Sequence, residues 1–313
     1  MRTLFTLTGN LLAETTATFD MPREGATARA RADGFSRFQV GGKGVNVSKA
    51  ARLMGAATCA AIFPAGFTGQ RCAKHLENEN FCELICVKII GETREGLVCV
   101  NSENGAETTF LGADVPVPEA AFREALAQVH QRAAPGDALA ICGSFPGWKP
   151  FFAEEISHLC KEKKLRLCID TYGAPLKDLS KEKSALLKIN RRELFSALAD
   201  GISDDGRPET FESAFEHARK NCRAKIFAAS DGAGPALFNA GGETFSVTPP
   251  AIREVSATGS GDIMFACLIC ELFGKNTPPK TAARRACALA AKAAGYREIF
   301  PPSQEEILRI TNE

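Results

Sequence analysis

Residues 118–170 alternate between amphipathic and apolar stretches: a helical pattern over 118–132, a buried strand over 137–142, a second helical pattern up to residue 163 and a second buried strand over 165–170. Strands that are apolar on both faces need helices on both faces, which means a mostly parallel sheet inside a three-layer α/β sandwich. Ligands of such sheets collect outside the carboxyl ends of the strands. Ser144 and Asp170 fall at such ends, where either residue is also an ordinary helix cap.

The same rhythm holds elsewhere. A strand is expected over 2–8, another over 56–64, then a turn at Gly66-Phe67-Thr68-Gly69 and a helix over 70–79. Later come a buried strand over 226–229, two short strands over 236–238 and 244–247, and an Ala-rich helix over 280–294. Two stretches interrupt it. Residues 11–40 are polar and rich in Thr and Arg, with strand-like pieces only, and residues 81–112 alternate at Leu97-Val98-Cys99-Val100 and Thr108-Thr109-Phe110. Parts of these two stretches are expected to build a small antiparallel β lid on a single domain covering residues 1–313.

Composition narrows the function classes. Hydrophobic residues are 45% and charged residues 24% of 313, an ordinary globular balance with no low-complexity segment. A net charge of +1 gives no basic field for nucleic acid or an anionic membrane. No apolar run approaches a membrane span, and the first ten residues read as a strand and not as a signal peptide, so a soluble protein is expected. The 12 cysteines are scattered without metal-ligand spacing, as small buried hydrophobes in a reducing cytoplasm. Cys267 and Cys270 form a C-x-x-C within an apolar helix, which points to packing. The four histidines share no metal-binding spacing and receive no role.

Four short motifs carry chemistry. In Ala257-Thr258-Gly259-Ser260-Gly261-Asp262, two glycines let the backbone aim N–H groups at one point, and an apolar run with the composition of a buried helix follows from near Asp262. Such a helix start is an anion hole, with Asp262 at its lip able to take a proton; the plainer reading is a turn with Asp262 as N-cap. Gly41-Gly42-Lys43-Gly44-Val45-Asn46-Val47-Ser48 opens an amphipathic helix with bare amides and a lysine, without the spacing of a Walker A loop. Asn190 and Glu193 stand three apart, which by itself reads as a capping box. Ser230-Asp231-Gly232-Ala233-Gly234 is a loop able to lie against a nucleotide. Arg94, on an expected lid strand, reads by spacing alone as a solvated edge residue.

Together and in this order, the Gly41–Val47 and Thr258–Asp262 signatures, Asn190-Arg191-Arg192-Glu193 and the 230–234 loop resemble the ribokinase-like phosphofructokinase B family of sugar kinases over nearly the whole chain. The resemblance implies ATP- and Mg²⁺-dependent phosphoryl transfer, with Asp262 as base, and Gly259, Ser260 and Gly261 holding the moving phosphoryl group. It also implies Glu193 organising Mg²⁺ through water and Asn190, Ser230, Gly232 and Gly234 at the nucleotide. A monovalent cation is left open. Thr93-Arg94 is similar to the position where phosphosugar kinases set an arginine against the substrate phosphate. Gly66-Phe67-Thr68-Gly69, Asn46-Val47-Ser48 and Gly143-Ser144-Phe145-Pro146 also resemble the 1-phosphofructokinase and tagatose-6-phosphate kinase subgroup.

The acceptor residues so implied are Glu14, Gly41, Gly42, Lys43, Asn46, Arg94 and Ser144, and the acceptor is a ketohexose phosphate of the fructose 1-phosphate or tagatose 6-phosphate type. A homodimer through the lid is expected. The chain departs from the subgroup's pattern at Glu14, where Asp is usual, and at Ile189, Pro235 and Trp148. Two alternatives follow: a kinase for an unphosphorylated sugar or nucleoside, and a non-catalytic sugar-phosphate sensor on the same fold.

Overall fold

A computed structural model describes residues 1–20, 25–198, 210–298 and 303–312. Its strands in chain order are β1 (Thr3–Thr8), β2 (Leu12–Phe19), β3 (Ser36–Gly41), β4 (Ala57–Ile62), β5 (Glu83–Cys86), β6 (Glu95–Asn101), β7 (Glu107–Leu111), β8 (Ala138–Gly143), β9 (Arg166–Thr171), β10 (Leu186–Asn190), β11 (Ile226–Asp231), β12 (Gly234–Ala240) and β13 (Glu243–Val247). Its helices are α1 (Lys43–Leu53), α2 (Gly66–Glu79), α3 (Glu119–Arg132), α4 (Pro150–Glu162), α5 (Ala174–Leu179), the single turn α6 (Arg191–Glu193), α7 (Phe211–Asn221), α8 (Ser260–Ile269), α9 (Pro279–Ala294) and α10 (Gln304–Asn312).

Nine strands form the central sheet in the order β13-β12-β11-β10-β9-β8-β1-β4-β5. From β11 to β5 every pairing is parallel, and β12 and β13 close one edge antiparallel. The α/β class and the mostly parallel sheet are therefore as the sequence rhythm requires. Side-chain size sorts the two faces. On β8, Leu139 and Ile141 point into a core shared with Phe122 and Val129 of α3, Phe152 and Ile156 of α4, and Phe215 of α7. Ala138, Ala140 and Cys142 point the other way, toward α1, α8 and α9. Small residues on that face give room for α8, which is buried at every position from Asp262 to Ile269.

The interrupting stretches form a separate four-stranded sheet, β3-β2-β6-β7. Its base packs Leu11, Ala13 and Val40 on Val45, Ile62, Cys72 and Leu76. The expectation of antiparallel strands throughout is corrected at one pairing, because β2 and β6 run parallel. Both strands leave the central sheet in the same direction, being separated by the crossover β4–α2–β5, so they cannot form a hairpin. Residues 21–24, within the expected 11–40 part, lie outside the described residues.

A second correction concerns residues 66–69, which form the first turn of α2 and not a separate turn. No local side chain caps this helix; Glu92, distant in sequence, accepts from Phe67 N (3.2 Å) and Thr68 N (2.5 Å). A cap supplied from another element leaves no signature in the helix's own residues. Truncating Phe265, fully buried at the centre of α8, leaves a void beneath the helix that bears Asp262. Phe265→Ala is expected to lower unfolding stability by about 3–5 kcal/mol, read as a reduced urea midpoint.

Candidate active site

Most of the side chains singled out by the motifs meet where α1 and α8 begin, over the carboxyl ends of the central strands. Both helices start at a glycine with positive φ, Gly42 (120°) and Gly259 (80°), and neither N-terminus has a side-chain cap. A Cβ on Gly42 would stand 2.6 Å from Thr8 Cγ2, so only glycine lets the chain pass from Gly41, at the end of β3, into α1. Two uncapped helix starts leave donors and partial positive charge facing one region, as an anion requires.

The plain reading of Asp262 as an N-cap is corrected, because α8 starts at Ser260 and Asp262 sits inside its first turn. Asp262 is 5% exposed, and its Oδ2 accepts from Asn46 Nδ2 at 2.8 Å. Burial raises its pKa to about 6; Lys43 opposes the rise and Asp170 adds to it. Ser260 brings a buried hydroxyl with no hydrogen-bond partner to the same helix start, beside Gly261. A Cβ on Gly261 would stand 2.9 Å from Lys188 Nζ, so the absent side chain lets that ammonium reach the helix start.

Lys43 ties the two signatures together. Its Nζ donates to Asp170 Oδ1 (2.7 Å) and Glu193 Oε1 (3.1 Å). Burial disfavours the Lys43 charge, but the facing carboxylates Asp170, Glu193 and Asp262 outweigh it and hold its pKa well above the ordinary lysine value. Asp170, fully buried, also accepts from Lys188 Nζ at 3.0 Å. Its own burial favours the neutral acid, yet Lys188 and Lys43 keep its pKa below the usual carboxylate range. The expected capping box is present: Asn190 Oδ1 accepts from Glu193 N and Glu193 Oε2 from Asn190 N, both at 2.9 Å. This cap orients Glu193 so that its other oxygen meets Lys43. Asn190 pairs with Ser230 across the β10–β11 register, and Gly232 follows at φ 55° with open space around it, with Gly234 opening β12.

Arg94 departs from the solvated-edge reading. Its side chain is only 13% exposed, and its Nη1 donates to Asp114 Oδ1 at 2.9 Å. Asn10 Nδ2 donates to the same Asp114 oxygen (2.8 Å) and to Ser144 Oγ (2.9 Å), so Arg94 and Ser144 are joined through two residues. Gly143, next to Ser144, lies under the Lys43 stem, where a Cβ would come within 3.2 Å of Lys43 Cβ. Glu14 shares no side-chain hydrogen bond with this network but lies close enough for the Arg94 charge to act on it. It lies in the four-stranded sheet, opposite Gln39, whose amide it accepts, and burial raises its pKa.

The motif reading gave no role to four members of the cluster, although the sequence rhythm already sets Asp170 at the carboxyl end of a strand. Asp170 closes a buried strand, and Lys188 is a lysine between apolar neighbours on β10; an ionisable residue in such a strand is a usable signal. Asn10 stands just past β1, and Asp114 lies in the loop after β7, two residues beyond Gly112; no motif assigned either one a role. Cys267 and Cys270 are buried and unpaired, and burial pushes the Cys270 thiol up to about 12, in keeping with a packing role. Among the described residues there is no group of three His, Cys, Asp or Glu able to hold a metal directly, and no helix is long and apolar enough to cross a membrane.

Two uncapped helix starts, the buried carboxylates of Asp170 and Asp262, a buried Lys188 and a partly buried Lys43 over one edge of a parallel sheet suit a phosphoryl-transfer scaffold. The family model for pfkB carbohydrate kinases matches residues 14–304, and the chain belongs to that family of ATP-dependent carbohydrate kinases. It is 28% identical to 1-phosphofructokinase of Bacillus subtilis over 230 residues, 72% of each chain. It is 30% identical to ATP-dependent 6-phosphofructokinase isozyme 2 of Escherichia coli over 239 residues, 75% of each chain. The fold matches crystalline phosphofructokinase-2 from Escherichia coli, in complex with potassium, with a TM-score of 0.87 at 22% identity, covering 100% of this chain and 99% of that one.

The Asn46 bond favours the charged form of Asp262, so its loss must favour the acid. Asn46→Leu is expected to move the Asp262 pKa upward from about 6, measured by carbon-13 NMR titration of the carboxyl group.

Proposed function

We propose that this protein transfers the γ-phosphoryl group of ATP to a hydroxyl of a ketohexose phosphate, with fructose 1-phosphate or tagatose 6-phosphate as acceptor. The observation that carries the reading is the continuity of the polar cluster. The Asn46–Asp262 pair at the start of α8 lies one helical turn from Lys43, and the stem of Lys43 covers Gly143 beside Ser144 and the Arg94 network. This continuity supports reading Asp262 as proton acceptor, the start of α8 as anion hole and the permanently charged Arg94 guanidinium as parts of one site.

In this mechanism the acceptor hydroxyl gives its proton to Asp262 Oδ while its oxygen bonds to the γ-phosphorus, and the bond from that phosphorus to the bridging oxygen of ADP breaks. The backbone around Gly259, Ser260 and Gly261 holds the phosphoryl oxygens, with the unpartnered Ser260 hydroxyl as a further donor. Lys43 and Lys188 face the charge that builds on the phosphates. Asn190, Ser230, Gly232 and Gly234 receive the nucleotide; Gly41 and Gly42 let the acceptor approach the backbone, and Glu14 grips sugar hydroxyls. The carboxylates of Asp170 and Glu193 are bonded to lysines, so the donor set suits a Mg²⁺ ion held through water by Glu193 better than direct ligation. Such an ion supplies charge neutralisation on the phosphates when bound.

The single domain closes its four-stranded sheet over the sugar as a lid, and the same sheet pairs two copies. Support for the pairing comes from Phe110 and Leu111 on β7, which are 56% and 53% exposed beside Phe38 and Leu97.

Four outcomes test the reading. With purified protein, Mg²⁺ and ATP, ADP formation should appear on fructose 1-phosphate or tagatose 6-phosphate and not on fructose, ribose or adenosine. Asp262→Asn should lower kcat by about 10²–10⁴-fold with the fold intact. Because an acid of pKa about 6 is the working base only above that pH, kcat/KM should fall as pH drops through about 6, and a pH–rate profile flat between 5 and 7 would contradict the role of Asp262. Arg94→Ala should raise the acceptor KM far more than it changes kcat.

A further inference from the structure

The guanidinium assigned to the substrate phosphate already has an anion on it. Asp114 Oδ1 lies 2.9 Å from Arg94 Nη1 and 2.8 Å from Asn10 Nδ2, so one carboxylate oxygen engages both Arg94 and the amide that also reaches Ser144. The two partners differ in burial. Asp114 is 50% exposed in the loop after β7, whereas Arg94 is held at 13% exposure with its Nε buried and unpartnered. Displacing the pair gives the carboxylate to water that it already half faces, whereas the guanidinium stays enclosed and still needs an anion. A phosphate carries three acceptor oxygens and could take over the bonds that Arg94 Nη1 and Asn10 Nδ2 now give to Asp114 Oδ1, as charge-assisted pairing favours.

We propose that Asp114 is a resident stand-in for the acceptor's phosphate: it holds Arg94 and Asn10 in the binding geometry while the site is empty, and the incoming phosphate displaces it. This rests on the sugar-phosphate reading above and deepens it, making Asp114 a specificity-setting residue that acts through Arg94. An acceptor without a phosphate lacks the charge to displace Asp114 and leaves the pair closed. A phosphate must overcome the repulsion of a like charge within a few ångströms before it gains the arginine, so the pair weakens binding and sharpens selection. No bond is made or broken by Asp114, and it has no part in the proton transfer at Asp262.

The decisive variant is Asp114→Asn, which keeps the shape and an oxygen for Arg94 and Asn10 while removing the charge. The expected result is a KM for the acceptor sugar phosphate lowered about three- to tenfold, with kcat and the KM for ATP within about twofold of the parent. Inorganic phosphate, used as an inhibitor competitive with the sugar, should tighten by a similar factor. Asp114→Glu should restore the parent's phosphate inhibition. An unchanged or raised acceptor KM in Asp114→Asn, with Arg94→Ala still raising it, would overturn the stand-in role alone and leave the sugar-phosphate reading in place. If Arg94→Ala leaves the acceptor KM untouched, the sugar-phosphate reading fails and this inference falls with it.

Discussion

The site depends on a buried lysine–carboxylate cluster. Asp170 is fully buried at the end of β9 and is tolerable as an anion only because Lys43 and Lys188 reach it from two other elements. Removing either lysine would leave an uncompensated charge in the interior. The two cations and the carboxylates of Asp170, Glu193 and Asp262 therefore fix where α1, β9, β10 and the start of α8 stand relative to one another.

The backbone is shaped to allow this meeting. Gly42 and Gly259 begin their helices without side-chain caps, and Gly261 leaves the space that Lys188 Nζ occupies. Beneath them, the Ala- and Cys-lined face of the sheet lets α8 lie close enough for Asn46 on α1 to reach Asp262. Residue size in the core and the chemistry of the site are two parts of one arrangement. Enlarging Ala140 or Cys142 would push α8 outward and open the Asn46–Asp262 contact before any polar residue had been changed.

The groups around Arg94 are placed differently. Asn10, Ser144 and Asp114 come from loops past strand ends, and Arg94 precedes β6 of the smaller sheet, so this network joins the two sheets through connecting segments. The lysine–carboxylate cluster, by contrast, is held by the central strands and by the helices that begin over them.

The sequence by itself determined the layered α/β class, because strands apolar on both faces admit no other covering, and it determined the two glycine-led helix starts and the Asn190–Glu193 cap, because these are local geometries. Much of the candidate site was legible for the same reason: Gly259, Gly261, Asp262, Lys43 and Asn46 each sit inside a short motif whose backbone shape follows from its own residues. Tertiary structure alone decided the rest. The Lys43–Asp170 contact spans 127 residues and the Asn10–Asp114 contact 104. Whether Arg94 faces solvent or a buried network depends on a loop that meets it only after folding. The cap on α2 by Glu92 and the parallel β2–β6 pairing were hidden for the same reason: their partners are remote in sequence, and no periodicity within one segment encodes a neighbour that lies in another.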